Sequence, residues 1–324
     1  MSLRFLTLPL LAGLCLGQQQ LTPDNGPVES RQLDLPALAE PVKRQLKEAL
    51  DRRDFKRAET ILVEEIKANP KSEELLKAAG RLFLLDRDPV NAAIAFRKAD
   101  KLHPLDPGSQ FAMAIAFVGM GKSNWARPEF ASLSQSDPTN PLYEYWLGRL
   151  DYDAQLFDSA ASRFHKVTLL RPSFTRAWDN LALAQEALGL LDDAVKSYRH
   201  AVDLNRNERP PSPWPPLNLG ILTTKLGRFG EAEVLLREAL GYDPGLWTAH
   251  YRLGMNLHGQ RKSADAMPEL ERATELAPTE PGPLYVLGQI YRNQGESAKA
   301  ARVFARFEEL KKVKRGDSAG SPRD

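Results

Sequence analysis

An alanine recurs at one phase of a 34-residue period through most of this chain, at Ala58, Ala92, Ala126, Ala160, Ala194, Ala232, Ala266 and Ala300. A period of that length has to be settled first, because it decides whether a chain packs one core or stacks many small units. Eight units in phase begin at Ala39, Glu73, Pro107, Pro141, Thr175, Pro213, Trp247 and Pro281, with starts 34 residues apart except for one interval of 38. Counted from those starts the alanine is position 20. Position 8 is small in seven units, at Gly80, Ala114, Gly148, Ala182, Gly220, Gly254 and Gly288, with Leu46 in the first. Position 24 is large, at Leu62, Phe96, Phe130, Phe164, Tyr198, Leu236, Leu270 and Phe304, and position 32 is proline at Pro70, Pro104, Pro138, Pro172, Pro244 and Pro278.

That pattern predicts a helical hairpin. Small residues at positions 8 and 20 let two antiparallel helices, A and B, approach closely, and the group at position 24 fills the wedge beside them. Proline at position 32 has no N–H and biases the residue before it away from the α region, so helix B stops there. Positions 4, 7, 8 and 11 of helix A fall on one face and are expected to be apolar. The pattern resembles the tetratricopeptide repeat family over residues 39–314. The resemblance implies an all-α fold, a right-handed superhelical solenoid of eight helix-turn-helix repeats, whose first helices line a concave groove that holds an extended peptide or a helix.

Outside the repeats the chain changes character. In residues 1–17 Arg4 is the one charge and Phe5 to Gly17 is an apolar run, which reads as a signal peptide with export to the periplasm or the exterior. The run is too short for a comfortable span, so no stable membrane span is expected after cleavage; retention as an anchor is the alternative. The single cysteine, Cys15, lies inside that segment, so the processed chain would have no disulfide or thiol chemistry. Residues 18–38 read as a flexible linker, rich in turn formers such as Pro23, Asn25, Gly26 and Pro27, and residues 315–324 as a disordered tail. A Pro-rich insertion at about 207–216, with Pro210, Pro211, Pro213, Pro215 and Pro216 around Trp214, predicts a longer, stiff loop between repeats 5 and 6.

Lys and Arg number 44 against 42 Asp and Glu, a balance that offers no global argument for nucleic acid as a partner. No catalytic constellation and no cofactor motif are found. His103, His165, His200, His250 and His258 are scattered, and the last two are eight apart, without the i, i+4 placement of a helical metal site. The expectation is a non-catalytic scaffold with no metal and no cofactor, whose partner is a protein or peptide of unstated identity.

At 100° per residue, positions 2, 5, 9, 12 and 13 of helix A point away from helix B, with position 6 at the edge of that stripe. The stripe reads Tyr145, Trp146, Arg149 and Tyr152 in repeat 4, then Asp179, Asn180 and Glu186 in repeat 5. It continues with Trp214 and Asn218, then Tyr251, Arg252 and His258, then Tyr285, Gln289 and Arg292. Exposed aromatic and Arg side chains are what binding hot spots are made of, and this stripe is the candidate peptide-binding groove. A carboxylate clamp of the kind some members carry is matched only at Asn218 and Arg252; Asp179, Leu183 and Thr248 depart from it. The alternative is a structural or assembly component of a cell-envelope complex, acting through its ends or convex face. Val303 and Phe307 on the last helix would then allow self-association.

Overall fold

The computed structural model describes residues 38–319. The expected leader with Cys15, nearly all of the linker and residues 320–324 lie outside that range. The chain divides into two compact units at Pro172 and Ser173, so that repeats 1–4 fall in one and 5–8 in the other. The first holds α1 (Glu40–Asp51), α2 (Phe55–Ala68), α3 (Glu73–Leu85), α4 (Pro89–Asp100), α5 (Pro107–Gly119), α6 (Ser123–Ser136), α7 (Pro141–Asp153) and α8 (Phe157–Leu170). The second holds α9 (Thr175–Ala187), α10 (Leu191–Asn205), α11 (Trp214–Lys225), α12 (Phe229–Tyr242), α13 (Trp247–Gly259), α14 (Ser263–Leu276), α15 (Pro281–Asn293) and α16 (Ser297–Ala319). Among the described residues there is no strand, and none of the helices is long and apolar enough to cross a membrane.

The recurring small residues sit at the helix crossings. All eight position-20 alanines are buried. A methyl group added at Gly80, Gly148 or Gly288 would meet the ring of Phe96, Phe164 or Phe304 at 2.8, 2.9 or 2.7 Å, and at Gly220 or Gly254 it would meet Leu236 or Leu270 at 2.9 or 2.6 Å. Positions 8 and 24 of one hairpin therefore nest in each other, and the absent side chain makes the room.

The turn between the two helices is the same in all eight repeats. Position 15 adopts a left-handed backbone, with glycine at Gly121, Gly189, Gly227 and Gly295 and a larger residue at Arg53, Arg87, Gln155 and Arg261. The next residue donates its N–H back to the third carbonyl from the helix end, as in Asp54 to Ala49 O at 2.8 Å, Leu156 to Asp151 O at 2.9 Å and Lys262 to Leu257 O at 3.0 Å. That is a Schellman closure, which satisfies the carbonyls a helix leaves over at its C-terminus. Helix starts carry their own signals: Asp54, Ser72, Asp88, Asp106 and Asn140 each accept a backbone N–H of the first turn.

The insertion between repeats 5 and 6 folds back on its own helix. Asn205, fully buried at the end of α10, donates from Nδ2 to Ser212 O at 2.8 Å and accepts the Ser212 N–H at 2.8 Å. Chain 206–213 is thus a closed loop, and α11 starts at Trp214 with proline in its first turn.

At the far end the pattern loosens. Position 24 is fully enclosed in the first seven repeats but only half-buried at Phe304. The last helix, α16, runs 23 residues to Ala319, where α4 has 12 and α10 has 15. The helix passes the expected end of helix B at Lys314 and takes in Arg315 to Ala319, the expected start of an irregular tail; the next proline is Pro322.

Candidate ligand surface on the first helices of the repeats

Within the second unit the A helices lie side by side. Asn218 of α11 donates to both carboxylate oxygens of Asp179 on α9, at 3.1 and 3.0 Å, and Lys225 donates to Glu186 Oε1 at 2.6 Å. Thr224 of α11 reaches Asn256 Oδ1 on α13 at 3.2 Å, and a methyl group at Gly282 of α15 would touch the Tyr251 ring at 3.0 Å. The B helices form a second layer, tied by Arg199 to Glu231 at 2.8 Å and by a two-pronged pair from Arg206 to Glu238 at 2.9 and 2.8 Å.

The predicted stripe divides into a buried and an open part. In repeat 4 Tyr145, Trp146, Arg149 and Tyr152 are all buried, contrary to an exposed stripe. Trp146 stacks on Phe130 with ring centres 5.9 Å apart, Tyr145 meets Phe164 at 5.9 Å, and Tyr152 meets Phe157 edge-on at 5.2 Å. The Arg149 guanidinium lies 4.9 Å over the Trp146 ring. These aromatics pack the seams between successive helices, which is where large rings bury most area. Asp179, Asn180 and Asn218 are buried as well. Burial pushes the Asp179 carboxyl up to about 7, against the pull of the Asn218 hydrogen bonds, so near neutral pH it is shared between its charged and neutral forms.

The open part belongs to repeats 6–8. Trp214 and Tyr251 are half-buried, each with one flank on the core cluster of Leu217, Leu253, Leu257 and Leu287. Tyr251 stacks on Trp247 at 6.3 Å, and the Arg252 guanidinium lies 5.4 Å over the Tyr251 ring. Tyr285 is 44% exposed and leans on Phe304 and Phe307 at 6.1 and 5.3 Å. Gln289 is half-buried and Arg292 exposed, its guanidinium 5.9 Å over the Phe304 ring. His258 is half-buried, and burial holds its imidazole below the ordinary range, so it is neutral at pH 7.

One constellation escaped the sequence reading. Positions 4 and 11 of helix A, expected to be apolar, are Glu144 and Asp151 in repeat 4, and both are buried. Arg163 bridges them, Nη1 to Glu144 Oε2 and Nε to Asp151 Oδ2, both at 2.7 Å. Lys166 and Ser134 donate to Glu144 at 2.7 and 2.9 Å, and Arg127 and Ser159 to Asp151 at 2.6 and 2.6 Å. Burial alone would push both carboxyls up; the hydrogen bonds from Lys166, Arg163 and Ser134 at Glu144, and from Ser159, Arg127 and Arg163 at Asp151, hold both below the carboxylate range. The signal was present as two acids on an otherwise apolar face, each with a base within reach on a neighbouring helix. With three protein donors on each carboxylate, the cluster binds α6, α7 and α8 together. Among the described residues no three His, Cys, Asp or Glu side chains converge to hold a metal ion.

The comparisons agree with this architecture. BBSome complex member BBS4 of Bos taurus is 23% identical over 236 residues, which cover 72% of this chain and 44% of that protein. The chain therefore spans less than half the length of the curated relative it matches. Among solved structures, the APC/C hetero-tetramer Cut9-Hcn1 superposes with a TM-score of 0.63 at 15% identity, covering 76% of this chain and 48% of the other. PilW, a widely conserved type IV pilus biogenesis factor, superposes at 0.57 with 19% identity, covering 64% of this chain and 97% of its own. At such identities the likeness is one of fold. The family model described as tetratricopeptide repeat matches residues 44–107, 145–209 and 217–281. Three matched stretches in register with the hairpins, together with the nested small residues and the shared turn, place this chain in the tetratricopeptide repeat family.

Proposed function

We propose that the protein is a non-catalytic scaffold that holds a peptide segment or helix of another protein on the A layer of its second unit. The observation that carries this reading is the row Trp214, Tyr251, Arg252, Tyr285, Gln289 and Arg292, which is at least partly open to solvent on three adjacent helices. Aromatic flanks seated on a packed core are rigid, so a ligand meeting them orders little besides itself. Asp179, Asn180 and Asn218 are buried beneath the A layer of the second unit, and Tyr145, Trp146, Arg149 and Tyr152 are buried within the first; none of the seven is assigned direct ligand contact. The test is panning of a random peptide library against the full chain, followed by Tyr285→Ala and Gln289→Ala variants. Binding should weaken in those variants and stay unchanged in Val234→Ala, an exposed position on the B layer. The opposite pattern removes the assignment.

A second reading, an assembly component acting through its ends, is favoured by the half-buried Phe304 and Phe307 and by the length of α16. Light scattering across concentration separates the two: a dimer abolished by Phe307→Glu supports assembly, a monomer throughout removes it. We further propose export, supported by the apolar run from Phe5 to Gly17. Mass spectrometry of the chain expressed with its leader should find a processed N-terminus near Gln18, and an intact Met1 in an exported chain would show an anchor instead.

A further inference from the structure

In repeats 6 and 7 the A and B helices differ in charge in a way the repeat pattern does not require, whereas α9 of the A layer carries Asp179 and Glu186 and α16 of the B layer is rich in Lys and Arg. Helices α11, α13 and α15 contain no Asp or Glu; their charged side chains are Lys225, Arg252 and Arg292, with His250 and His258 beside them. Helices α12 and α14 of the B layer carry seven acids against Arg237 and Arg272. Position-specific packing fixes the small and apolar residues of a hairpin and leaves surface charge free, so this segregation is information about what the surface meets.

Of Lys225, Arg252 and Arg292, the two arginines stand outside the ion pairs of the described residues. Lys225 is tied to Glu186, and the bases of the B layer are largely absorbed in pairs such as Arg206 with Glu238 and Arg237 with Glu233. Among the described residues Arg252 and Arg292 have no carboxylate within ion-pair distance. Arg252 is half-buried, with the Tyr251 ring beneath it and Met255 Sδ at 3.9 Å as its polar neighbour, and Arg292 lies over Phe304. A guanidinium seated on an aromatic ring keeps its in-plane N–H donors directed outward, and their fork matches a carboxylate.

We infer that the ligand of this surface is an acidic protein segment, whose Asp or Glu side chains pair with Arg252 and Arg292 while apolar residues between them lie against Trp214, Tyr251 and Tyr285. The aromatic spacing between the two bases favours a peptide over a nucleic acid, because two guanidinium groups on a chain of net charge +2 neutralise too few phosphates for tight binding. The inference rests on the peptide-scaffold reading and specifies its chemistry.

The test uses the full chain and a random peptide library displayed on phage. Selected clones should be enriched in Asp and Glu, and synthetic copies should bind more weakly as salt is raised. Replacing their acids by Asn and Gln, or the protein's bases by Arg252→Gln and Arg292→Gln, should each lower affinity about tenfold or more, the scale of a charge-assisted hydrogen bond. Arg292→Gln changes an exposed side chain and provides a folded variant should Arg252→Gln lose helicity. Clones that bind without acidic enrichment overturn the acidic assignment and leave the scaffold reading standing; an empty selection overturns both. Acid-rich clones indifferent to both substitutions refute the placement, and heparin or duplex DNA competing as well as the selected peptides refutes the partner class.

Discussion

Two residues of one type have opposite prospects at the scale of a single side chain. Replacing glycine by alanine inside a helix gains about 1 kcal/mol of backbone entropy, provided the methyl group has room. At Gly241 nothing lies within 4 Å, so Gly241→Ala should stabilise by about that amount; at Gly254 the methyl would meet the branch carbon of Leu270 at 2.6 Å and the Ala266 carbonyl at 3.3 Å. Overpacking of that kind costs about 1–3 kcal/mol, so Gly254→Ala should be neutral to destabilising, and paired denaturant titrations would show the two variants shifting apart. Asp179 makes a second residue-scale prediction. Its folded value of about 7 exceeds the unfolded one, so the folded chain keeps a proton the unfolded chain releases. Its contribution is fully present below about pH 4 and is lost as pH rises through about 7. Asp179→Asn should flatten that part of the stability profile, read as the denaturation midpoint against pH. The enclosure of Asp179 was not legible in the sequence. A turn of 100° per residue tells which way a side chain leaves its helix, while the closeness of Asn218 on the next A helix depends on how two hairpins dock.

The helix-to-helix turn was half legible. Glycine announces the closure at Gly121, Gly189, Gly227 and Gly295, but Arg53, Arg87, Gln155 and Arg261 hold the same left-handed backbone without it. A side chain there costs about 1–2 kcal/mol, so Gln155→Gly and Arg87→Gly should each stabilise by up to about 1 kcal/mol after the entropy of the added glycine, and Gly189→Ala should lose a similar amount. Thermal melts of the three variants check this. The hairpin contacts themselves were readable, because close crossing demands the smallest residues and the period repeats that demand eight times. The ion cluster joining α6, α7 and α8 was not legible from the period, because Glu144 and Asp151 stand at positions where the period expects apolar residues and their bases come from two other helices. Glu144→Ala leaves Lys166 and part of Arg163 without an acceptor, but both side chains reach water, so the loss should be about 1–3 kcal/mol, the scale of the charge-assisted hydrogen bonds removed, again measured by denaturant titration.

At the scale of the molecule the two units should answer acid in opposite directions. Glu144 and Asp151 are held below their unfolded values, so their stabilisation exists above about pH 4 and disappears as pH falls through their folded values. Asp179 in the other unit gives its contribution at the acid end. Hydrogen exchange followed by mass spectrometry should show protection in repeat 5 rising between pH 7 and 4, after correction for intrinsic exchange rates, with protection in repeat 4 giving way first below that window. A uniform response across repeats 4 and 5 would refute the assignment of these carboxyls.

The Asn205 clasp on Ser212 has a consequence for how such a chain tolerates editing. Because the excursion is fastened to its own root, residues gained or lost between the two clasp points alter its circumference and leave the phase of the following helix alone. A nick placed there would leave α10 and α11 seated, and a domain grafted between Glu208 and Pro211 would hang outside the repeat.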